Sequence, residues 1–231
     1  MKEIMEEFPP SYYEILYIQQ SNDRPFNRGA MKNIGFMAVK NKYPNDYKNI
    51  TLVFNDVDTT PANKTTIPNY STKKGIIKHF YGYNFALGGI VSILAGDFEQ
   101  LNGFPNYYSW GFEDNELNAR ALKAGMTIDR SVFYPIYDNT NIVQITHGTE
   151  RIVNRGEFNR FAQKVKEGLD TIYGLKYAIT EHETNIVNVE KFETKYNVNE
   201  SMNASYDISK GKVPFITGYS AKRRSSMNMI I

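Results

Sequence analysis

Two groups of carboxylates in this chain are spaced for chemistry. Asp56-Val57-Asp58 follows an apolar run, Ile50 to Phe54, that reads as a strand. Acids at i and i+2, where a strand breaks into a turn, can direct one carboxylate to a ribose and the other to a hard divalent cation. Alone, the pair also fits an ordinary turn. Glu113-Asp114-Asn115-Glu116 opens a predicted helix directly after Trp110-Gly111-Phe112. Acids there complement the helix dipole. With glycines, tyrosines and the lone tryptophan just before them, they also suggest a sugar-handling site, an aromatic face for C–H groups beside a carboxylate for hydroxyls. His147 ends a further predicted strand, as Asp58 does, so the two can converge on one ion.

The elements needed to position these groups read in order along the chain. Residues 1–8 suggest the last turns of a helix stopped by Pro9-Pro10, and Glu14 to Gln20 a buried strand. Asn27 caps a helix with Met31, Ile34 and Ala38 on one face. Strand, helix and the Asp56-bearing strand together predict a parallel α/β unit, which binds ligands beyond the carboxyl ends of its strands. Gly75 to Tyr81 is the next strand. Gly88-Gly89, inside an apolar run, implies close backbone approach, Asn102 to Asn106 is a turn, and the Glu113 helix closes at Gly125. Ile128 to Tyr137 reads as a strand and connection, and Asn141 to His147 as a strand. Phe158, Phe161, Val165, Leu169 and Ile172 recur on one helical face, and Ile186 to Val189 is a strand.

The 231 residues suit one domain, and 41% hydrophobic residues can fill its core. A net charge of +2 with mixed signs gives no footprint for nucleic acid, although the end of the chain, with Lys210, Lys212 and Lys222-Arg223-Arg224, is locally basic and reads as a frayed tail. The absence of cysteine excludes disulfides and thiolate zinc sites. No apolar run is long enough for a membrane segment and none resembles a signal peptide, so a soluble, cytoplasmic protein is expected, and five Asn-x-Ser/Thr sequons carry little weight.

Taken together, Phe26-Asn27-Arg28-Gly29-Ala30, Asn33-Ile34-Gly35-Phe36, Asp56-Val57-Asp58, Gly88-Gly89, Asn102-Gly103-Phe104-Pro105-Asn106, Trp110-Gly111 with Glu113-Asp114, and His147 with Arg160-Phe161 resemble the β-1,4-galactosyltransferase family. The resemblance runs over roughly residues 14–208. It implies an α/β GT-A fold, a single domain over 1–208 with a mixed sheet, followed by the 209–231 tail. The implied activity is an inverting, metal-dependent transfer of galactose or a hexosamine from a UDP-sugar to a glycan hydroxyl, with manganese or magnesium as cofactor. Asp114 would be the catalytic base and Glu113 would hold the acceptor. Asp56, Val57, Phe26 and Arg28 would contact the nucleoside, and Lys78 the diphosphate. Ala86, Gly88, Gly89, Trp110 and Gly111 would surround the donor, and Asp58, His147 and Gln144 would bind the metal.

Some positions depart from the family pattern. The family's domain opens with a strand carrying Pro-Phe-Arg-x-Arg that has no counterpart ahead of Glu14, which implies a shortened start or a pocket completed otherwise. Gln144 stands where the animal enzymes place a methionine ligand, Phe112 where Trp-Gly-Gly-Glu-Asp has its second glycine, and Asn115 where an acid contacts the acceptor. Ala86 replaces a bulky aromatic beside the sugar's C2 group, which implies room for a 2-acetamido donor. The animal enzymes also have membrane anchors and disulfides. A transferase relic acting as a carbohydrate-binding or scaffold protein is the alternative reading. A glycoside hydrolase using Glu113 and Asp114 is disfavoured because adjacent acids rarely flank a glycosidic bond at the required separation of about 5 to 9 Å.

Overall fold

The computed structural model describes residues 3–6, 8–180, 185–210 and 214–215. His182 and most of the basic tail therefore lie outside the described residues. Among the described residues there are twelve strands and four α-helices. They are β1 (Leu16–Gln20), α1 (Arg28–Lys42), β2 (Thr51–Asn55), β3 (Thr59–Pro61), β4 (Ile76–Gly82), β5 (Ile90–Leu94), α2 (Ala95–Gln100) and α3 (Glu113–Lys123), then β6 (Thr127–Asp129), β7 (Tyr134–Pro135), β8 (Ile142–Gln144), β9 (Glu150–Asn154), α4 (Arg155–Ala162), β10 (Ile172–Thr180), β11 (Asn185–Thr194) and β12 (Asn203–Asp207).

The central sheet has the order β2-β5-β4-β6, with β7 continuing alongside β4. It is mixed: β5 is antiparallel to both β2 and β4, whereas β6 and β7 run parallel to β4. Helix α1 lies between this sheet and a second one, β1-β11-β10. Its Phe36 joins the core of Leu52, Ile77, Val91, Phe98, Phe104 and Leu117, while Ala30, Met31, Ile34 and Ala38 pack on Val187, Val189 and Phe192 of β11. A helix buried on both sides is the reason its apolar residues spread beyond one stripe. Asn27 caps it, its side-chain oxygen accepting from Ala30 N at 2.8 Å. Asn33, fully buried, grips the 102–106 turn by accepting from Phe104 N and donating to Phe104 O.

Four sequence expectations are corrected. β1 and β2 do not form a parallel unit: β1 pairs parallel with β11, and β2 pairs antiparallel with β5, because α1 separates the two sheets. Residues 3–6 form turns rather than a helix. The helix carrying Phe158 and Phe161 ends at Ala162; Lys164 has positive φ, and Ile172 begins β10 on the edge of the second sheet. The strand before His147 stops at Gln144, which leaves the histidine in a loop.

Several chain ends gather at one edge of the central sheet. β2 and β4 finish there and β5 begins there, and Asp56 N donates to Gly89 O at 3.1 Å. Helix α3 points its N-terminus at the same place, with Leu87 N donating to Asp114 O at 3.0 Å. Two ribbons, β3-β8 and β9-β12, flank it.

Candidate functional site

One arginine ties the two acidic motifs together. Arg28, the first residue of α1, donates from Nη1 to Glu113 Oε1 at 2.6 Å and to both oxygens of Asp114 at 2.9 and 2.8 Å. Its Nη2 donates to both oxygens of Asp56 at 2.7 Å. Lys32, one turn further along the same face, places Nζ 3.2 Å from Asp56 and 3.7 Å from Asp114. Burial acts to raise the Asp56 pKa, but Arg28 and Lys32 outweigh it and hold the carboxyl well below its usual range. For Glu113 burial wins over Arg28, so its pKa lies above the ordinary value. Desolvation pulls Arg28 down, but the three carboxylates outweigh it and raise its pKa.

The glycine pair is required by space. A Cβ on Gly88 would sit 2.3 Å from Asp114 Oδ2, so this backbone forms the floor under the carboxylate. Gly89 has φ +73 and faces the Tyr81 carbonyl as closely, at 2.3 Å from an added Cβ. Ala86, just before the pair, is buried.

Asp58 and His147 meet as the sequence suggests, with His147 Nε2 2.9 Å from Asp58 Oδ2. The β3-β8 ribbon sets Thr59 opposite Gln144, and Ile145 N donates to Asp58 O at 2.7 Å, so all three expected ligands share one corner. The Gln144 amide oxygen accepts from the Tyr81 hydroxyl at 2.8 Å. Among the described residues no three acidic, histidine or cysteine side chains are grouped so as to hold a metal ion by themselves. One carboxylate, one imidazole and one amide oxygen, open to solvent on one side, nevertheless fit a Mn²⁺ ion that takes its other ligands from a diphosphate or water.

Trp110 donates its backbone N–H to Ile152 O at 2.8 Å and stacks on Tyr206 of β12, with ring centroids 6.3 Å apart and planes at 25°. Its neighbours Ser109, Gly111 and Phe112 all have positive φ. At Phe112, φ +75 is a conformation suited to glycine, and the ring is held by stacking on Phe161 at 4.8 Å and by a tilted contact with Phe158 at 5.3 Å. Phe26 and Val57 expose apolar side chains next to Arg28 and Asp56. Lys78 makes its contact elsewhere, donating to Asn69 O at 3.3 Å with Asp129 nearby. Sequence reasoning missed Lys32, whose signal was its i+4 spacing from Arg28, and Tyr81, which had none.

Known proteins similar to this chain are galactosyltransferases by name. A family profile described as the N-terminal domain of galactosyltransferase matches residues 75–147. The chain is 30% identical over 175 residues to β-1,4-galactosyltransferase 5 of Sus scrofa, covering 69% of this chain and 42% of that protein. It is 31% identical over 148 residues to xylosylprotein 4-β-galactosyltransferase of Caenorhabditis elegans, covering 60% and 49%. It thus spans less than half the length of these curated relatives. Among solved structures, the catalytic domain of Drosophila β-1,4-galactosyltransferase 7 with xylobiose superposes with a TM-score of 0.56 at 22% identity, over 81% of this chain and 82% of that one. A mutant of that enzyme with manganese, UDP-Gal and xylobiose gives a TM-score of 0.54 at 23% identity, with the same coverage.

These relatives overturn the expected cytoplasmic location, since the galactosyltransferases the chain matches are Golgi membrane enzymes. No helix among the described residues is long and apolar enough to cross a membrane, and that fact assigns no compartment. With its motifs gathered at one edge of a GT-A fold, a galactosyltransferase profile over residues 75–147 and a relative 30% identical over 69% of this chain's length, the chain belongs to the β-1,4-galactosyltransferase family.

Proposed function

We propose that this protein transfers galactose from UDP-Gal to a hydroxyl of a glycan acceptor, with inversion at the anomeric carbon and with dependence on manganese. The observation that carries the reading is the Arg28 bridge, which brings Asp56 of the first motif and Glu113-Asp114 of the second onto one guanidinium. The relatives are galactosyltransferases by name, and a structural neighbour holds manganese, UDP-Gal and a xylose disaccharide.

In this reading Phe26 and Val57 offer apolar surface to the base, and Asp56 and Arg28 contact the nucleoside. Asp58, His147 and Gln144 would hold the ion, which when bound neutralises charge on the departing diphosphate. Arg28 fixes the orientation of Asp114 over the Gly88 backbone. Asp114 accepts the proton of the acceptor hydroxyl as that oxygen attacks the anomeric carbon, and Glu113 holds the acceptor. Trp110, with Gly111, covers the donor and keeps water from competing as acceptor. Lys78 is left without a diphosphate role on its present contact. Residues 1–208 form the catalytic domain and 209–231 a tail, of which Phe215 rests against Arg155 and Phe158.

The finer donor assignment follows Ala86. A methyl group at this buried position leaves room beside C2 of the sugar, so the site accepts N-acetylgalactosamine or another hexosamine as well as galactose. The test is transfer from labelled UDP-Gal and UDP-GalNAc, with manganese, to a panel of glycosides including xylobiose, with anomeric configuration read by NMR. Wild type should give a β-linked product. Asp114→Asn should keep UDP affinity and slow transfer by about 100-fold or more. Ala86→Tyr should favour UDP-Gal. Equal loss of binding and transfer in Asp114→Asn would refute the base assignment.

A further inference from the structure

His79 lies on β4 behind the site and is fully buried. Its Nε2 faces two carbonyl oxygens, Tyr81 at 3.0 Å and Gly88 at 3.1 Å, and its Nδ1 faces the Nε of Arg130 at 3.1 Å. Carbonyls only accept and a guanidinium only donates. The ring proton therefore sits on Nε2, the Nδ1 lone pair accepts from Arg130, and the imidazole is neutral. Burial, then the Arg130 charge, push its pKa down to about 4, which keeps it so at ordinary pH. Phe133 packs on the ring at 4.9 Å between centroids.

Arg130 reaches further, donating from Nη2 to Asn84 O at 2.7 Å. The two side chains thus grip the 83–88 loop near both ends, Arg130 at Asn84 and His79 at Gly88. That loop carries Ala86, the Leu87 N–H that donates to the Asp114 carbonyl, and the Gly88 backbone on which the Asp114 carboxylate rests. Gly82, at the loop's start, admits the arrangement because a Cβ there would lie 2.8 Å from Gly88 O and 3.0 Å from His79 Nε2.

We propose that His79 and Arg130 are positioning residues for the transfer reaction: a neutral histidine, oriented by an arginine, clamps the 83–88 loop so that Gly88 and Ala86 hold their places against Asp114 and the donor sugar. Neither touches substrate. The proposal rests on the transferase reading above, so its test has a readout independent of transfer.

His79→Leu removes the donor to Gly88, whereas His79→Gln restores an N–H near the position of Nε2. In the unliganded full chain, hydrogen exchange of the 83–89 amides should be about tenfold or more faster in His79→Leu and near wild type in His79→Gln. With UDP-Gal, kcat of His79→Leu should fall by about 10- to 100-fold, the scale of a displaced reacting group, while the Kd for UDP stays within about twofold. His79→Gln should recover most of that loss. Unchanged kcat and exchange in His79→Leu would overturn the proposal, as would a His79→Gln chain no better than His79→Leu. If His79→Leu does not fold, Arg130→Met, which cuts the Nδ1 and Asn84 contacts, takes its place with the same readouts. If wild type itself transfers nothing, the transferase reading fails while loop exchange alone still upholds or overturns the clamp.

Discussion

The acid cluster under Arg28 and the corner around Asp58 are two halves of one site, built on opposite plans. Glu113 is buried, and Asp56, Asp114 and Arg28 are largely so; each is tied before any ligand arrives. At the corner, Asp58 is as sheltered as Asp56, but the His147 side chain is 55% exposed, and the one contact between the two can be exchanged for a shared ion. The first half is fixed by folding, and the second is left for ligand to complete. In the proposed transfer, the groups that would take the proton and hold the nucleoside are organised in advance, and the corner that would receive the ion and diphosphate stays open.

The largest effect should come from breaking the fixed half. Arg28→Leu strands three carboxylates, one of them buried, and should destabilise the chain by about 3 kcal/mol in denaturant titration, besides abolishing UDP binding. Asp58→Ala should abolish metal-dependent UDP binding in calorimetry yet change stability by only about 1 kcal/mol, since it breaks one contact to the exposed His147 and one hydrogen bond from Thr59 Oγ1. Should both variants lose stability alike, the contrast between the halves would disappear.

Acid titration sharpens the same contrast. The Asp56 pKa is depressed in the folded state, so its stabilisation is fully present above the unfolded value of about 4 and is lost as pH falls through the folded value. Asp56→Asn should therefore be less stable than wild type at neutral pH and lose less on acidification below pH 4. Glu113 has the opposite sign: its raised pKa favours the protonated folded form, and that contribution fades as pH rises through the folded value. The smallest effect should be at Phe112. Phe112→Gly relieves a left-handed residue but loses the Phe158 and Phe161 contacts, so stability should shift by about 1 kcal/mol or less. Exchange of the Trp110 loop should rise instead.

What was legible in the sequence was local. The Asn27 cap, the Asp56-Val57-Asp58 strand end, the glycine pair and the acids opening α3 each announce themselves within a few residues, and the structure joins them. What stayed hidden was long-range. Nothing near Leu16 indicates that β1 pairs with β11, about 170 residues on, instead of lying beside β2. Val165, Leu169 and Ile172 extend the apolar face of α4 in sequence, but the turn at Lys164 breaks the helix and Ile172 enters β10. Nothing beside His79 in the sequence marks it, because its partners, Gly88 and Arg130, come from other segments.

In the proposed transferase the open corner completes a donor site only with its ion. Calorimetric titration of UDP into the folded chain, with and without Mn²⁺, tests it most directly. Binding that requires the metal, and is lost in Asp58→Ala, is the predicted result; equal binding without metal, or none in either condition, would contradict it.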